Sequence, residues 1–122
     1  ARSCRYGDAP WQELKLWRAR VAGGLARGLA FHPISGRQVR ASFPVPAGAK
    51  RLELFIALTD ESAKSQNRSP VRVEVTGGER VELDGFGWRQ LEVDVAQTST
   101  VSVSTWVRAD GERSITLAGD FY

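Results

Sequence analysis

The chain has no methionine, one cysteine and one histidine, and just three of its 17 basic residues are lysine. Each scarcity closes off a class of chemistry. A lone Cys4 cannot form an intrachain disulfide, and cysteine-based metal centres are excluded with it. It reads as a free thiol, with pairing to a partner chain as the alternative. A lone His32 leaves a zinc site short of nitrogen and sulfur ligands. A Ser–His–Asp relay would have to converge on that one imidazole, and no Gly-x-Ser-x-Gly elbow is present to supply a nucleophile. No apolar run approaches the roughly 18 residues that span a bilayer, and there is no signal-peptide pattern. Without a methionine, Ala1 is not a native start: either a leader was removed or the chain belongs to a larger protein. The first points to export and the second to an accessory domain.

What the chain does have is alternation. Val39, Ala41, Phe43 and Val45 alternate with polar neighbours, as do Leu52, Leu54, Ile56 and Leu58. Val71, Val73 and Val75 follow, then Val81 and Leu83, then Leu91, Val93 and Val95. Val101 and Val103 with Thr105, and finally Ile115 and Leu117, complete seven runs. Period two gives each run one wet and one dry face. Seven runs at roughly ten-residue spacing predict two antiparallel sheets packed together, an all-β sandwich of the jelly-roll type. Residues 1–10 read as an irregular lead-in and 11–122 as one domain, since 122 residues supply one core.

Residues 11–25 are ambiguous. Trp11, Leu14, Trp17, Val21 and Leu25 recur at helical spacing behind Asp8 and Pro10, which favours a short N-terminal helix. Residues 13–21 also read as a strand, and the strand total is then eight instead of seven. Residues 26–36 read as a loop or irregular edge. The segment 59–70 reads as the longest loop, and Gly77-Gly78 as a hairpin turn.

Net charge is +3 but unevenly placed: residues 1–51 carry +8 and residues 52–122 carry −5. Such asymmetry either marks a surface for an acidic polymer or membrane, or is interleaved away when early and late strands share a sheet. Nucleic-acid binding by stacking and phosphate contacts is disfavoured by the acidic second half and by aromatics that do not cluster on one strand.

Tryptophan carries the best binding signal. Sugar C–H faces stack on aromatic rings while nearby polar groups fix orientation. Trp88 follows the Gly85-Phe86-Gly87 turn, and Trp106 points away from the face of Val103. Arg89 and Arg108 are adjacent donors, and His32 is either a structural hydrogen-bonding residue or a ligand contact. The alternative for each tryptophan is core packing. Most Asp residues sit in turns, where they bond the backbone, so a catalytic carboxylate pair is not expected. No cofactor is expected, except that a structural Ca²⁺ would require Asp60, Glu61 and Asp120 to meet.

The segment Leu25-Ala26-Arg27-Gly28-Leu29-Ala30-Phe31-His32-Pro33 resembles the arginine–glycine–leucine–x–x–histidine stretch of NPCBM/NEW2-type domains. Val39–Phe43, the turn Pro46-Ala47-Gly48-Ala49, and Leu52–Leu58 ending in Thr59-Asp60-Glu61 stand where that family has its next strands. Val71–Val75 and the closing Asp120-Phe121 continue the likeness. Leu58-Thr59 replaces the glycine expected before the strand-end aspartate. The resemblance implies a galactose-binding-like sandwich that binds carbohydrate without catalysis. It also implies an extracellular or periplasmic setting and attachment to a larger chain. The competing reading is a protein–protein interaction or scaffolding domain of a larger, membrane-associated assembly, whose exposed aromatics pack on a neighbouring protein domain.

Overall fold

The computed structural model describes residues 3–5, 13–76, 79–111 and 113–122. Ten strands and one short helix are present among them. They are β1 (Ser3–Arg5), β2 (Glu13–Val21), β3 (Gly24–Phe31), β4 (Val39–Pro44) and β5 (Arg51–Leu58), then α1 (Asp60–Lys64). After the helix come β6 (Val71–Val75), β7 (Glu79–Leu83), β8 (Arg89–Asp94), β9 (Thr100–Val107) and β10 (Ile115–Phe121).

All seven alternating runs are strands, β4 to β10. The sheet orders are β1-β2-β3-β10-β5-β8 and β4-β9-β6-β7, and every pairing is antiparallel. Strands β3 to β10 alone make two four-stranded sheets in jelly-roll order. The β1 and β2 strands extend one sheet to six.

Three expectations need correction. There is no N-terminal helix over the described residues: residues 13–21 are a strand. Helical spacing loses there because β3 offers backbone pairing from Lys15↔Ala30 through Val21↔Gly24, and a buried edge must be hydrogen-bonded somewhere. The strand total among the described residues is ten instead of seven or eight. The eighth jelly-roll strand is β3, most of which (residues 26–31) falls in the stretch read as a loop. Residues 3–5, within the presumed lead-in, pair with β2. The Gly77-Gly78 turn lies outside the described residues, although β6 and β7 on either side of it pair.

The core lies between the sheets. Leu52, Leu54, Ile56 and Leu58 of β5, with Ile115 and Leu117 of β10, are buried against Val71, Val73, Val101, Val103 and Val107. Each such side chain stabilises the fold by about 1.5–3 kcal/mol on burial. Gly28 of β3 lets the strand cross close to β10, because a Cβ there would lie 2.5 Å from the Leu117 carbonyl oxygen. Strands β1, β2 and β3, from the basic first half of the chain, lie side by side at one end of the six-stranded sheet, followed by β10, β5 and β8.

The helix in the segment read as the longest loop begins at a proper cap. The Thr59 side chain accepts from the Ser62 N–H, Asp60 and Glu61 occupy the first turn, and Lys64 the last.

Candidate functional site

Two polar recesses stand out. One is a groove of about 160 Å³ on the outer face of the four-stranded sheet, lined by Gln38, Arg72, Glu74, Ser104, Thr105 and Trp106. Strand geometry builds it. Val101, Val103, Thr105 and Val107 of β9 face inward, so Trp106 must face out, and it is 40% exposed. The register sets Trp106 opposite Arg72 of β6, and Arg72 opposite Glu82 of β7. The Arg72 guanidinium lies over the Trp106 ring, 5.5 Å from its centroid, and its Nε is 3.8 Å from Glu82 Oε1. One strand position along, Arg80 pairs with Glu74 at 3.8 Å. Arg40 Nε donates to Ser104 Oγ at 3.2 Å. The result is an aromatic plate held by a cation and ringed by hydroxyl, amide and carboxylate groups.

The second recess is a cleft of about 380 Å³ at one end of the sandwich, lined by His32, Glu61, Lys64 and Ser114. Residues around Ser35, α1 with the segment after it, and residues 109–111 meet at this end through the contacts that follow. Asn67 Nδ2 donates to the Ala109 and Gly111 carbonyls at 2.8 and 2.6 Å. Ser35 N donates to Asp110 Oδ2 at 3.0 Å, and Asp110 N donates to Ser35 Oγ at 2.8 Å. His32 Nδ1 is 3.0 Å from the Arg113 carbonyl oxygen; a carbonyl only accepts, so this nitrogen donates. Thr59 Oγ1 and Ser114 Oγ are hydrogen-bonded at 2.7 Å.

Arg113, next to Ser114 in the chain, is fully buried. Its Nη1 donates to the Ser62 carbonyl at 2.8 Å and to Ser62 Oγ at 3.3 Å, and its Nη2 donates to the Asn67 carbonyl. Its Nε is buried without a hydrogen-bond partner in the described structure. Burial above all, and then the neighbouring Arg68, holds this guanidinium below the usual arginine range, while Asp84 pulls the other way.

The predicted site residues are divided among these places. His32 and Glu61 line the same cleft. Trp106 lies in the sheet groove with Arg108 two residues farther along, exposed. Arg89 donates to the Glu82 carbonyl at 3.4 Å, at the edge of that sheet. Trp88 is half-buried in the β7–β8 connection and does not line either recess.

The three calcium candidates do not assemble. Asp120 pairs with Glu53 near the start of β5, whereas Asp60 lies beyond its end. The intervening seven positions of chain span about 23 Å. Both Asp60 oxygens accept backbone N–H groups, from Ala22 at 2.7 Å and Gly23 at 2.8 Å. No group of three or more His, Cys, Asp or Glu among the described residues could hold a metal ion. The donor set therefore does not fit Ca²⁺.

Sequence reasoning missed Gln38, Arg72, Glu74, Ser104, Lys64, Ser114 and Arg113. Arg72 and Glu74 carried a signal, since they alternate with Val71, Val73 and Val75 and so face outward. That they sit beside Trp106 depends on the β6–β9 register.

No family model matches the sequence, and no curated protein does. Solved structures match its fold. A CBM51 module from Clostridium perfringens GH95, in complex with methyl-galactose, superposes with a TM-score of 0.59 at 12% identity, over 99% of this chain and 92% of that one. The CBM51-2 and INT domains of Clostridium perfringens ZmpB, with CBM51-2 in complex with GlcNAc, superpose with a TM-score of 0.61 at 13% identity. That match covers 98% of this chain and 29% of the other. A ZmpB structure holding the M60 catalytic domain with CBM51-1 and CBM51-2 gives 0.61 at 11% identity, and this chain spans 14% of its length. The likeness establishes the sandwich fold.

Proposed function

We propose that this domain is a non-catalytic carbohydrate-binding module and that the Trp106 groove is its sugar site. The observation that carries the reading is the solvent-facing indole held by Arg72 among Gln38, Glu74 and Ser104. Aromatic plates flanked by fixed polar groups suit a pyranose, which offers an apolar C–H face and equatorial hydroxyls. The groove is shallow and polar, so affinity comes from stacking plus a few hydrogen bonds. Arg108, exposed two residues beyond the β9 residue Trp106, adds a donor next to the groove.

The sandwich shared with CBM51 modules supports this reading. Two of the similar structures hold such modules beside other domains of one chain, which supports an accessory role in a larger extracellular or periplasmic protein. Among the residues whose exposure is described, the exposed large apolar side chains are Leu25 of β3, Phe86 of the β7–β8 connection, Trp106 of β9 and Tyr122 after β10.

The test is a titration with neutral oligosaccharides, including methyl-galactoside and GlcNAc, followed by tryptophan fluorescence. Saturable quenching that Trp106→Ala abolishes, with an unchanged circular-dichroism spectrum, is the expected result. Binding that survives Trp106→Ala places the site elsewhere.

A further inference from the structure

The β2–β3 hairpin carries charge of one sign over most of its length. From Leu14 to Phe31 the chain has Lys15, Arg18, Arg20 and Arg27 and no acid. The one acid of β2, Glu13, stands at its start, opposite Arg5 of β1. The two sides of the ribbon differ. The register puts Val21 and Gly28 on the same side. Val21 is buried, and Gly28 lies so close to β10 that a Cβ there would be 2.5 Å from the Leu117 carbonyl oxygen, so this side packs on the sheet. Arg18 and Arg20, one position off, are exposed on the other side, and Leu25, the cross-strand partner of Arg20, is 60% exposed beside them. Arg18 is set opposite Arg27, and like charges opposed across a strand pair are destabilising. The β6–β7 ribbon has the reverse arrangement, with Arg72 opposite Glu82 and Glu74 opposite Arg80, each an ion pair. Neither Arg18 nor Arg20 takes part in an ion pair among the described residues. The hairpin tip is held where both Asp60 oxygens accept from the Ala22 and Gly23 N–H groups. Asp60 and Glu61, with Lys64, bring one more acid than base to that tip, which leaves the positive excess of the ribbon standing.

We propose that the exposed side of the β2–β3 hairpin is a docking surface for an anionic polysaccharide, one carrying sulfate or carboxylate groups. Arg18 and Arg20 stand two residues apart, about 7 Å along the strand. Each presents a planar fork of donors that matches a sulfate or carboxylate, so an extended polymer lying along β2 meets both in turn. Leu25 offers the sugar rings an apolar contact. A bound polyanion also lowers the cost of setting Arg18 opposite Arg27. A single-stranded nucleic acid would need rings to stack on, and the exposed aromatics described, Phe86, Trp106 and Tyr122, lie elsewhere. A membrane surface would need a broader apolar face than Leu25. The surface goes beyond the Trp106 reading and does not depend on it.

The test is calorimetric titration of the full chain with dextran sulfate and with sodium polygalacturonate at low ionic strength, uncharged dextran serving as the control. Saturable binding of at least one anionic polymer, and none of dextran, is expected. Affinity should fall steeply between about 50 and about 200 mM salt. The double variant Arg18→Gln/Arg20→Gln should weaken binding about fivefold or more with an unchanged circular-dichroism spectrum, both positions being solvent-exposed. Arg37→Gln/Lys50→Gln removes the same charge from exposed positions off the hairpin and should change affinity less than about twofold. Trp106→Ala should leave it unchanged. Equal losses in the two double variants would reduce the effect to net charge and overturn the surface. So would a matching loss in Trp106→Ala, or no binding of either anionic polymer. Tighter hairpin-dependent binding of duplex DNA or of phosphatidylserine vesicles would overturn the polysaccharide assignment. Neutral oligosaccharides failing to bind, while polyanion binding that needs Arg18 and Arg20 persists, would sink the Trp106 site and leave this one standing.

Discussion

Arg72 and Arg113 are the same side chain in opposite surroundings. Arg72 lies on an open sheet face, 42% exposed, sharing a carboxylate at 3.8 Å and resting on an indole. Arg113 has no exposed surface and is held by carbonyls and a hydroxyl. In water the first arrangement contributes little, because solvent competes for both partners. The second depends on the acceptors at its two Nη atoms, because a charge in the interior has no solvent to fall back on. The sheet face is therefore adaptable and suited to exchanging water for a ligand. The α1 end is a fixed frame whose loops cannot be moved independently.

The sharpest way to break this contrast is Arg113→Ala. It should cost about 3 kcal/mol of stability, read as a fall in urea midpoint, since Ser62 and Asn67 lose their donor together. A change near zero would mean that solvent reaches the guanidinium. Next in size is Asp60→Ala, which should cost about 1–2 kcal/mol. The carboxylate holds the β2–β3 hairpin, whose turn places Ala22 at φ 52° and Gly23 at φ 81°, a left-handed pair that alanine tolerates poorly. Hydrogen exchange at Ala22 and Gly23 should accelerate in that variant.

On the open face, Trp106→Ala should cost no more than about 1 kcal/mol of stability while removing neutral-glycan binding, a separation that unfolding and fluorescence titrations detect. The smallest effect belongs to Glu82→Gln, about 0.5 kcal/mol or less. Raising the salt to about 1 M, where the Debye length is about 3 Å, should erase even that. The Arg113→Ala penalty should persist in the same buffer. A salt-insensitive Glu82 effect would show that the two faces differ less than their exposure indicates.

Legibility followed the same division. The seven valine- and leucine-rich runs were readable because period two is written into neighbouring residues, and Trp106 was readable as outward-facing for that reason. Residues 24–31 were not: Gly24, Gly28 and the Ala-Arg-Gly-Leu-Ala order resemble a loop until β10 is beside them. The 13–21 strand was obscured by Trp11, Leu14 and Trp17 at helical spacing, a local pattern that pairing along β3 overrides. The five-residue helix after Thr59 is too short for periodicity, although its cap and acidic first turn are visible in Thr59-Asp60-Glu61. The calcium grouping needed Asp60, Glu61 and Asp120 to meet, and the β5–β10 register keeps Asp120 from Asp60 by most of a strand.

Alternating side chains are enough to close a dry layer between two sheets, because alternation dictates which face of each strand meets water. Tertiary structure alone decided which outward residues became neighbours. Arg72 meets Trp106, His32 meets Arg113, and Asp60 meets a hairpin tip 37 residues away. Those meetings depend on strand register and loop closure across long separations, and a one-position slip in register would turn each strand's faces over.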